Sequence, residues 1–365
     1  MNTTPTFDKL HLRFKLNGSY FDREDLMEVA YSYIKEGEPF EQSVGDFLMD
    51  WLNDKPFMYV RTSGSTGGAK QIRIQKQAMV NSALASGDFF QINVGDSALH
   101  CLPAAYIAGK MMLVRAMMLG LEIDLVEPNL TPLEGLSKTY DFSAMIPLQV
   151  ENSLDKLDQV RKMIVGGAPI DSTLIDSLQN KSTEIYETYG MTETVTHIAA
   201  KKINNFSNSE SLDASTFQIL PNITIGTDDR GCLVIDAPSI AEQVIVTNDL
   251  VELVSADSFI WRGRIDHVIN SGGVKLIPEQ IEKKLAEVIP SRFFVYGIDD
   301  TSLGQKLIAV VEGKHDSKLL ETIKGLKSLD KFEHPKEVYF TDTFLETENG
   351  KVKRDATIAK AVQGI

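Results

Sequence analysis

Two cysteines in 365 residues, Cys101 and Cys232, are too few and too far apart for a disulfide framework or a Cys-x-x-Cys metal site. They read as free thiols in a reducing compartment. No stretch is apolar enough to span a bilayer: the most apolar region, 106–126, is broken by Lys110, Arg115, Glu122 and Asp124. The first twenty residues lack the apolar core of a signal peptide. A cytoplasmic protein is the expectation. Internal repeats and low-complexity tracts are also missing. Basic residues fall short of acidic ones, giving a formal net charge of −14. That balance argues against a broad grip on nucleic acid or anionic lipid and leaves room for a local phosphate pocket.

What is present is alternation. Short β-branched runs at 58–61, 72–74, 97–102, 122–126, 144–146, 162–165 and 184–187 read as strands. Amphipathic stretches at 76–89, 107–119, 132–138, 147–157 and 171–179 read as helices. This predicts an α/β domain with ligand-bearing loops at strand ends. After Lys201 the pattern turns β-rich, with strands expected at 218–225, 232–237, 242–247 and 252–254. From His267 a small α+β domain follows: helices at 278–288 and 317–326, strands at 292–297, 306–312 and 337–341.

The strongest chemical signal is Thr62-Ser63-Gly64-Ser65-Thr66-Gly67-Gly68-Ala69-Lys70, which follows a strand. Glycines let backbone N–H groups close on a ligand, hydroxyls add neutral donors, and lysine adds a point charge. The target of such a loop is a polyphosphate. It is not a P-loop of NTPase type, because Ala69 precedes the lysine and Gln71 follows it.

This loop resembles the phosphate-binding signature of the adenylate-forming superfamily: acyl-CoA synthetases, luciferases and adenylation domains. Ala69 stands where that family usually has proline. Further segments fit in the same order. Tyr189-Gly190-Met191-Thr192-Glu193 resembles the family's Tyr-Gly-x-Thr-Glu; by resemblance Glu193 holds Mg²⁺, Thr192 contacts the α-phosphate and Tyr189 packs near adenine. Gly166-Gly167-Ala168-Pro169 resembles the strand end beside the adenine, and Asp249 matches the ribose-binding aspartate. The segment from Trp261 to Gly273, with Gly263-Arg264-Ile265-Asp266 at its centre, resembles the family's hinge, with Arg264 on ribose or phosphate, Asp266 the pivot, and Gly272-Gly273 a loop for the coenzyme A stage. Lys275, Pro278, Glu279 and Glu282 fit the run that follows. Gly350-Lys351-Val352-Lys353-Arg354 resembles the loop carrying the catalytic lysine; Lys351 is the matching position and Lys353 its competitor.

The resemblance implies an N-terminal adenylation domain at 1–263, shorter at its start than in full-length members, a hinge at 264–267, and a mobile C-terminal domain at 268–365. It implies ATP, Mg²⁺ and coenzyme A as reactants. It leaves a homodimer open.

The segment Leu102-Pro103-Ala104-Ala105-Tyr106-Ile107-Ala108-Gly109-Lys110, followed by Arg115, resembles the acid pocket of o-succinylbenzoate–CoA ligases, with Tyr106 in place of the usual histidine. Tyr106, Lys110, Arg115 and Gly190 are the expected acid contacts. An arginine in a Met-rich apolar helix needs a partner if buried, and a dicarboxylate supplies one. Snorkelling to water is the competing reading for Arg115. His100 and His197 are further candidates for the neighbourhood of this pocket, though a lone histidine is more often structural. The alternatives are another aryl- or acyl-CoA synthetase, a carrier-loading adenylation domain, or a catalytically silent nucleotide-binding protein of this fold.

Overall fold

The computed structural model describes residues 4–61, 71–206, 215–346 and 352–363. Among these, a sheet of thirteen strands forms the body of the molecule. From edge to edge it runs Thr224–Thr227, Cys232–Asp236, Ile245–Ser255, Ser258–Arg264, Thr216–Ile219, His197–Lys202, Glu184–Gly190, Val160–Val165, Tyr140–Met145, Ser97–His100, Glu122–Leu125, Lys15–Leu16 and Ser19–Tyr20. Neighbours from Glu184–Gly190 to Lys15–Leu16 pair in parallel, and the remaining pairs are antiparallel. The β-rich part expected after Lys201 is there. It is joined edge to edge with the α/β part through the pair His197–Lys202 and Thr216–Ile219.

Ser97–His100 is the switch point of the parallel half. The next strand in sequence, Glu122–Leu125, lies on one side of it, and Tyr140–Met145 lies on the other. Crevices open at the carboxyl end of such a strand.

Both faces of the parallel half are covered, as its alternation of apolar side chains requires. Phe142, Ala144 and Ile164 join a core with Phe47 and Trp51 of helix Pro39–Leu52, Met79 and Phe90 of helix Lys76–Phe90, and the methionines of helix Ile107–Leu119. Tyr140, Met163 and Val165 face a second core with Leu174 and Leu178 of helix Ser172–Leu178. Helix Ile107–Leu119 is buried on nearly all sides and ends at Gly120, which is left-handed. Its first turn lies so close to the preceding loop that a Cβ on Gly109 would sit 2.3 Å from the Pro103 carbonyl oxygen.

Helix Pro39–Leu52 is closed at its end by a buried cation. The ammonium of Lys76 donates to the carbonyls of Trp51 (2.9 Å) and Asn53 (2.8 Å) and to Asn53 Oδ1 (3.0 Å). The last carbonyls of a helix have no partner within it, and this lysine supplies one.

The second sheet pairs Val274–Leu276, Ile269–Ser271, Gly304–Glu312, Phe293–Asp300 and Glu337–Thr341. Helix Pro278–Leu285 packs Ile281 and Leu285 on one face, and helix Arg354–Gln363 packs Ile358 and Ala361 on the other. Among the described residues, no helix is long and apolar enough to cross a membrane.

Several expected elements change. Residues 132–138 form single turns rather than a helix, because Gly135 takes a φ of +74° after one turn. The expected strand at 218–225 splits into Thr216–Ile219 and Thr224–Thr227 around Pro221-Asn222, where Asn222 is left-handed. The strands expected at 242–247 and 252–254 are one strand, Ile245–Ser255. The helix expected at 147–157 is Pro147–Glu151 followed by the 3₁₀ segment Leu154–Gln159.

Candidate functional site

The site is built where strands Val160–Val165 and Glu184–Gly190 end side by side. Gly167, Ala168 and Pro169 are exposed just past the first, and Tyr189 closes the second. The Tyr189 ring stands edge-on to Phe217 and Phe259, at 5.9 and 5.3 Å between centroids. Its hydroxyl donates to Asp249 Oδ2 at 2.7 Å. Asp249 sits opposite Arg264 in the antiparallel pair Ile245–Ser255 and Ser258–Arg264. Trp261 Nε1 donates to Asp249 Oδ1 at 3.1 Å, and Arg264 Nη1 lies 3.9 Å from the same oxygen.

Each carboxylate oxygen accepts two hydrogen bonds, so the oriented Asp249 retains acceptor sites for two further hydroxyls. A ribose diol has that chemistry. Burial, with the Asp249 charge beside it, pushes the Tyr189 phenol far above its ordinary range, so it stays a donor. Arg264 forks onto Asp266, Nε to Oδ1 at 2.9 Å and Nη2 to Oδ2 at 2.7 Å. That hydrogen bond holds the Asp266 carboxyl below its usual range.

Beyond Tyr189 the chain turns sharply. A Cβ on Gly190 would lie 2.3 Å from the Thr196 carbonyl oxygen, so only glycine fits. Thr192–Thr194 makes one 3₁₀ turn, and Val195 takes φ 65°, ψ −57°. A β-branched residue there stores strain of about 1–3 kcal/mol. The Thr194 hydroxyl, in reach of the carbonyls of Met191 and Thr196 and accepting from the Met191 N–H, holds it in place. The turn presents Glu193 to solvent. No group of three His, Cys, Asp or Glu side chains able to hold a metal occurs among the described residues. One exposed carboxylate suits Mg²⁺, which keeps waters and phosphate oxygens for the rest of its shell.

The third part of the site lies past the switch strand. Arg115 is 1% exposed. No carboxylate among the described residues lies within 4 Å of its nitrogens, and its Nε has no hydrogen-bond partner there. Among the described residues its hydrogen-bonding partner is His197, with Nη2 3.4 Å from Nδ1. His197 Nε2 lies 3.1 Å from Ser86 Oγ. Burial, then the Arg115 charge, holds the His197 imidazole well below its usual range. His100 is also buried, without a hydrogen-bond partner at either nitrogen among the described residues, and pushed down to about 4 by desolvation. Lys110 does not join this group: its ammonium lies 5.2 Å from the Phe47 ring, on the side of Asp46 and Asp50. Tyr106 is half-buried at the start of the helix.

A family model described as AMP-binding enzyme matches residues 49–229. The crystal structure of an acyl-CoA synthetase (AMP-forming)/AMP-acid ligase II-like protein from Dyadobacter fermentans is 36% identical, over 92% of this chain and 98% of that one, with a TM-score of 0.60. The chain belongs to the AMP-binding enzymes. Among curated relatives, the 2-succinylbenzoate–CoA ligase of Haemophilus influenzae is 26% identical over 71% of this chain, which spans 60% of that protein. A probable 2-succinylbenzoate–CoA ligase of Mycobacterium tuberculosis (strain CDC 1551 / Oshkosh) is 27% identical over 85% of each chain.

In this AMP-binding enzyme, the expected residues Thr62, Ser63, Gly64, Ser65, Thr66, Gly67, Lys70 and Lys351 lie outside the described residues. The structure brings together Tyr189, Asp249 and Arg264, and next to them Gly190, Thr192 and Glu193 along one turn. Asp266 is exposed at the junction of the two sheets. Around it, His267 Nδ1 lies 2.6 Å from Glu279 Oε1, and Gln280 Nε2 donates to the Arg262 carbonyl at 3.5 Å. Gly272 and Gly273 form the exposed turn between Ile269–Ser271 and Val274–Leu276. Arg354, beside the Lys351 segment, is fixed by Glu282 of the helix Pro278–Leu285, with Nη1 3.0 Å from Oε1 and Nη2 donating to Oε2 at 3.1 Å.

The roles of two residues escaped sequence analysis. Trp261 grips Asp249 through a strand pairing that no local pattern reveals. Ser86 had a visible signal: Ser82 and Ser86 are polar residues one turn apart on a buried face of helix Lys76–Phe90.

Proposed function

We propose that this enzyme is an ATP-dependent acid–thiol ligase of the cytoplasm. It activates a carboxylic acid as an acyl-adenylate and transfers the acyl group to coenzyme A, and its acid is o-succinylbenzoate, as in menaquinone synthesis. The observation that carries the choice of acid is Arg115: a buried guanidinium with no carboxylate partner among the described residues. Burying such a charge is costly until an anion joins it, and a substrate with a second carboxylate completes the pair. The names of the curated relatives support the same acid.

A free carboxylate is a poor electrophile toward a thiol. Attack of its oxygen on the α-phosphorus of ATP expels pyrophosphate and leaves a mixed anhydride, whose acyl carbon a thiol then attacks with AMP as leaving group. Asp249, oriented by Tyr189 and Trp261, takes the ribose hydroxyls. Arg264 supplies positive charge at the same edge. Thr192 contacts the α-phosphate and Glu193 is the protein ligand for Mg²⁺, which neutralises charge on the phosphates when bound. Residues 62–70 cradle the phosphates, and Lys351 stabilises the charge that builds in the first step. For the second step the C-terminal part, residues 268–365, turns about Asp266 and presents Gly272-Gly273.

An acid-dependent pyrophosphate-exchange screen tests this reading, followed by a coenzyme A dependence test. Exchange with o-succinylbenzoate well above that with benzoate is expected. Equal exchange with both overturns the choice of acid, and none with any acid overturns the ligase. Lys351→Ala abolishes exchange and spares thioesterification of supplied acyl-adenylate; loss of both half-reactions contradicts its role.

A further inference from the structure

We propose that His197 is a positioning residue that sets the enzyme's preference for acids carrying a second carboxylate, by aiming the Arg115 guanidinium without neutralising it. The proposal rests on the acid assignment above and goes beyond it in naming what holds Arg115.

The proton positions follow from elementary valence. An arginine only donates, so Arg115 Nη2, 3.4 Å from His197 Nδ1, requires a lone pair on Nδ1. A neutral imidazole with a bare Nδ1 carries its proton on Nε2. That N–H therefore donates to Ser86 Oγ, 3.1 Å away. The Ser86 hydroxyl then donates to the Ser82 carbonyl at 2.9 Å, inside the helix Lys76–Phe90. The Thr196 hydroxyl, 3.5 Å from the same Nδ1, then donates to it as well, and on the Nε2 side the chain ends on rigid backbone. The Phe90 ring stands edge-on to the imidazole at 5.7 Å and fixes its plane.

The chemical consequence lies in the charge. A carboxylate in the place of His197 would pair with Arg115 and leave little attraction for a ligand anion. A neutral imidazole orients the guanidinium and leaves its charge whole. Arg115, on helix Ile107–Leu119, is thereby held toward strand His197–Lys202. Selectivity for an anionic substituent arises because the site's own buried cation is completed only by that substituent.

The test measures pyrophosphate exchange of the full chain with o-succinylbenzoate, with KM for ATP as the internal control. His197→Phe keeps the ring against Phe90 and removes both nitrogens. It is expected to raise KM for the acid about tenfold, with kcat and KM for ATP changed less than about twofold. His197→Gln, whose amide both accepts and donates, recovers most of that loss, whereas Ser86→Ala raises KM for the acid about threefold. Should His197→Phe fail to fold, as a thermal melt would reveal, the Gln and Ala variants carry the same comparison. The proposal is overturned if KM for the acid and KM for ATP rise together, if Gln is no better than Phe, or if Ser86→Ala has no effect. A wild-type chain silent toward o-succinylbenzoate overturns the acid assignment itself. An active wild type with indifferent variants overturns only the role of His197.

Discussion

Two buried cations near the same helix pair behave oppositely. Lys76 is fully buried at the start of helix Lys76–Phe90, and three oxygens surround its ammonium. Arg115 is as deeply buried on the neighbouring helix Ile107–Leu119, where its partner is a neutral ring and its Nε is left over. The first arrangement is complete in itself and serves the fold, closing the end of helix Pro39–Leu52. The second is incomplete without a ligand. Burial alone does not separate structural from functional charge; the count of partners does.

The comparison breaks most visibly at Arg115. Arg115→Met should raise KM for o-succinylbenzoate about a hundredfold or more, the loss of a charge-assisted pair, while thermal stability holds or improves. A destabilised variant with unchanged KM would make Arg115 structural. Lys76→Met should do the reverse. Orphaned carbonyls at the helix end are expected to lower unfolding stability by about 1–3 kcal/mol in urea melts, with both KM values intact.

Trp261→Phe probes a smaller effect at the nucleotide end. It leaves the ring and takes one donor from Asp249, so KM for ATP should rise about three- to tenfold while KM for the acid stays put. A matching rise for both substrates would tie Trp261 to the fold rather than to Asp249.

The smallest effect is in pH. Burial pushes the Lys76 ammonium from 10.5 down to about 8. Between those values the unfolded chain binds more protons at this site than the folded one, so stability from this group rises with pH. Wild type should gain on Lys76→Met in melts between pH 8 and 10, and a flat difference would remove the titration from the account.

The sequence made legible what is local. Helix Ile107–Leu119 has its expected bounds because an apolar run ends at Gly120, and strand Glu337–Thr341 likewise stands as expected. The helix expected at 132–138 stops after one turn because Gly135 is left-handed, although Leu133 is buried in the core as its apolar character suggests. Helices Arg23–Glu36 and Pro39–Leu52 carried no motif, although Asp22 caps the first and Pro39 opens the second. Arg115 stood out as a charge in a methionine-rich stretch. Its partner His197 lies 82 residues away, and Trp261 reaches Asp249 only through the register of two antiparallel strands. Such pairings are set by the whole sheet, which is why the motif residues were readable and the contacts that hold them were not.

The most direct measurement is a crystal structure of the full chain with a non-hydrolysable o-succinylbenzoyl-adenylate analogue. The account predicts the remote carboxylate within about 3.2 Å of the Arg115 guanidinium, with His197 still at its other side. A carboxylate held elsewhere, with Arg115 sealed against His197 alone, would contradict it.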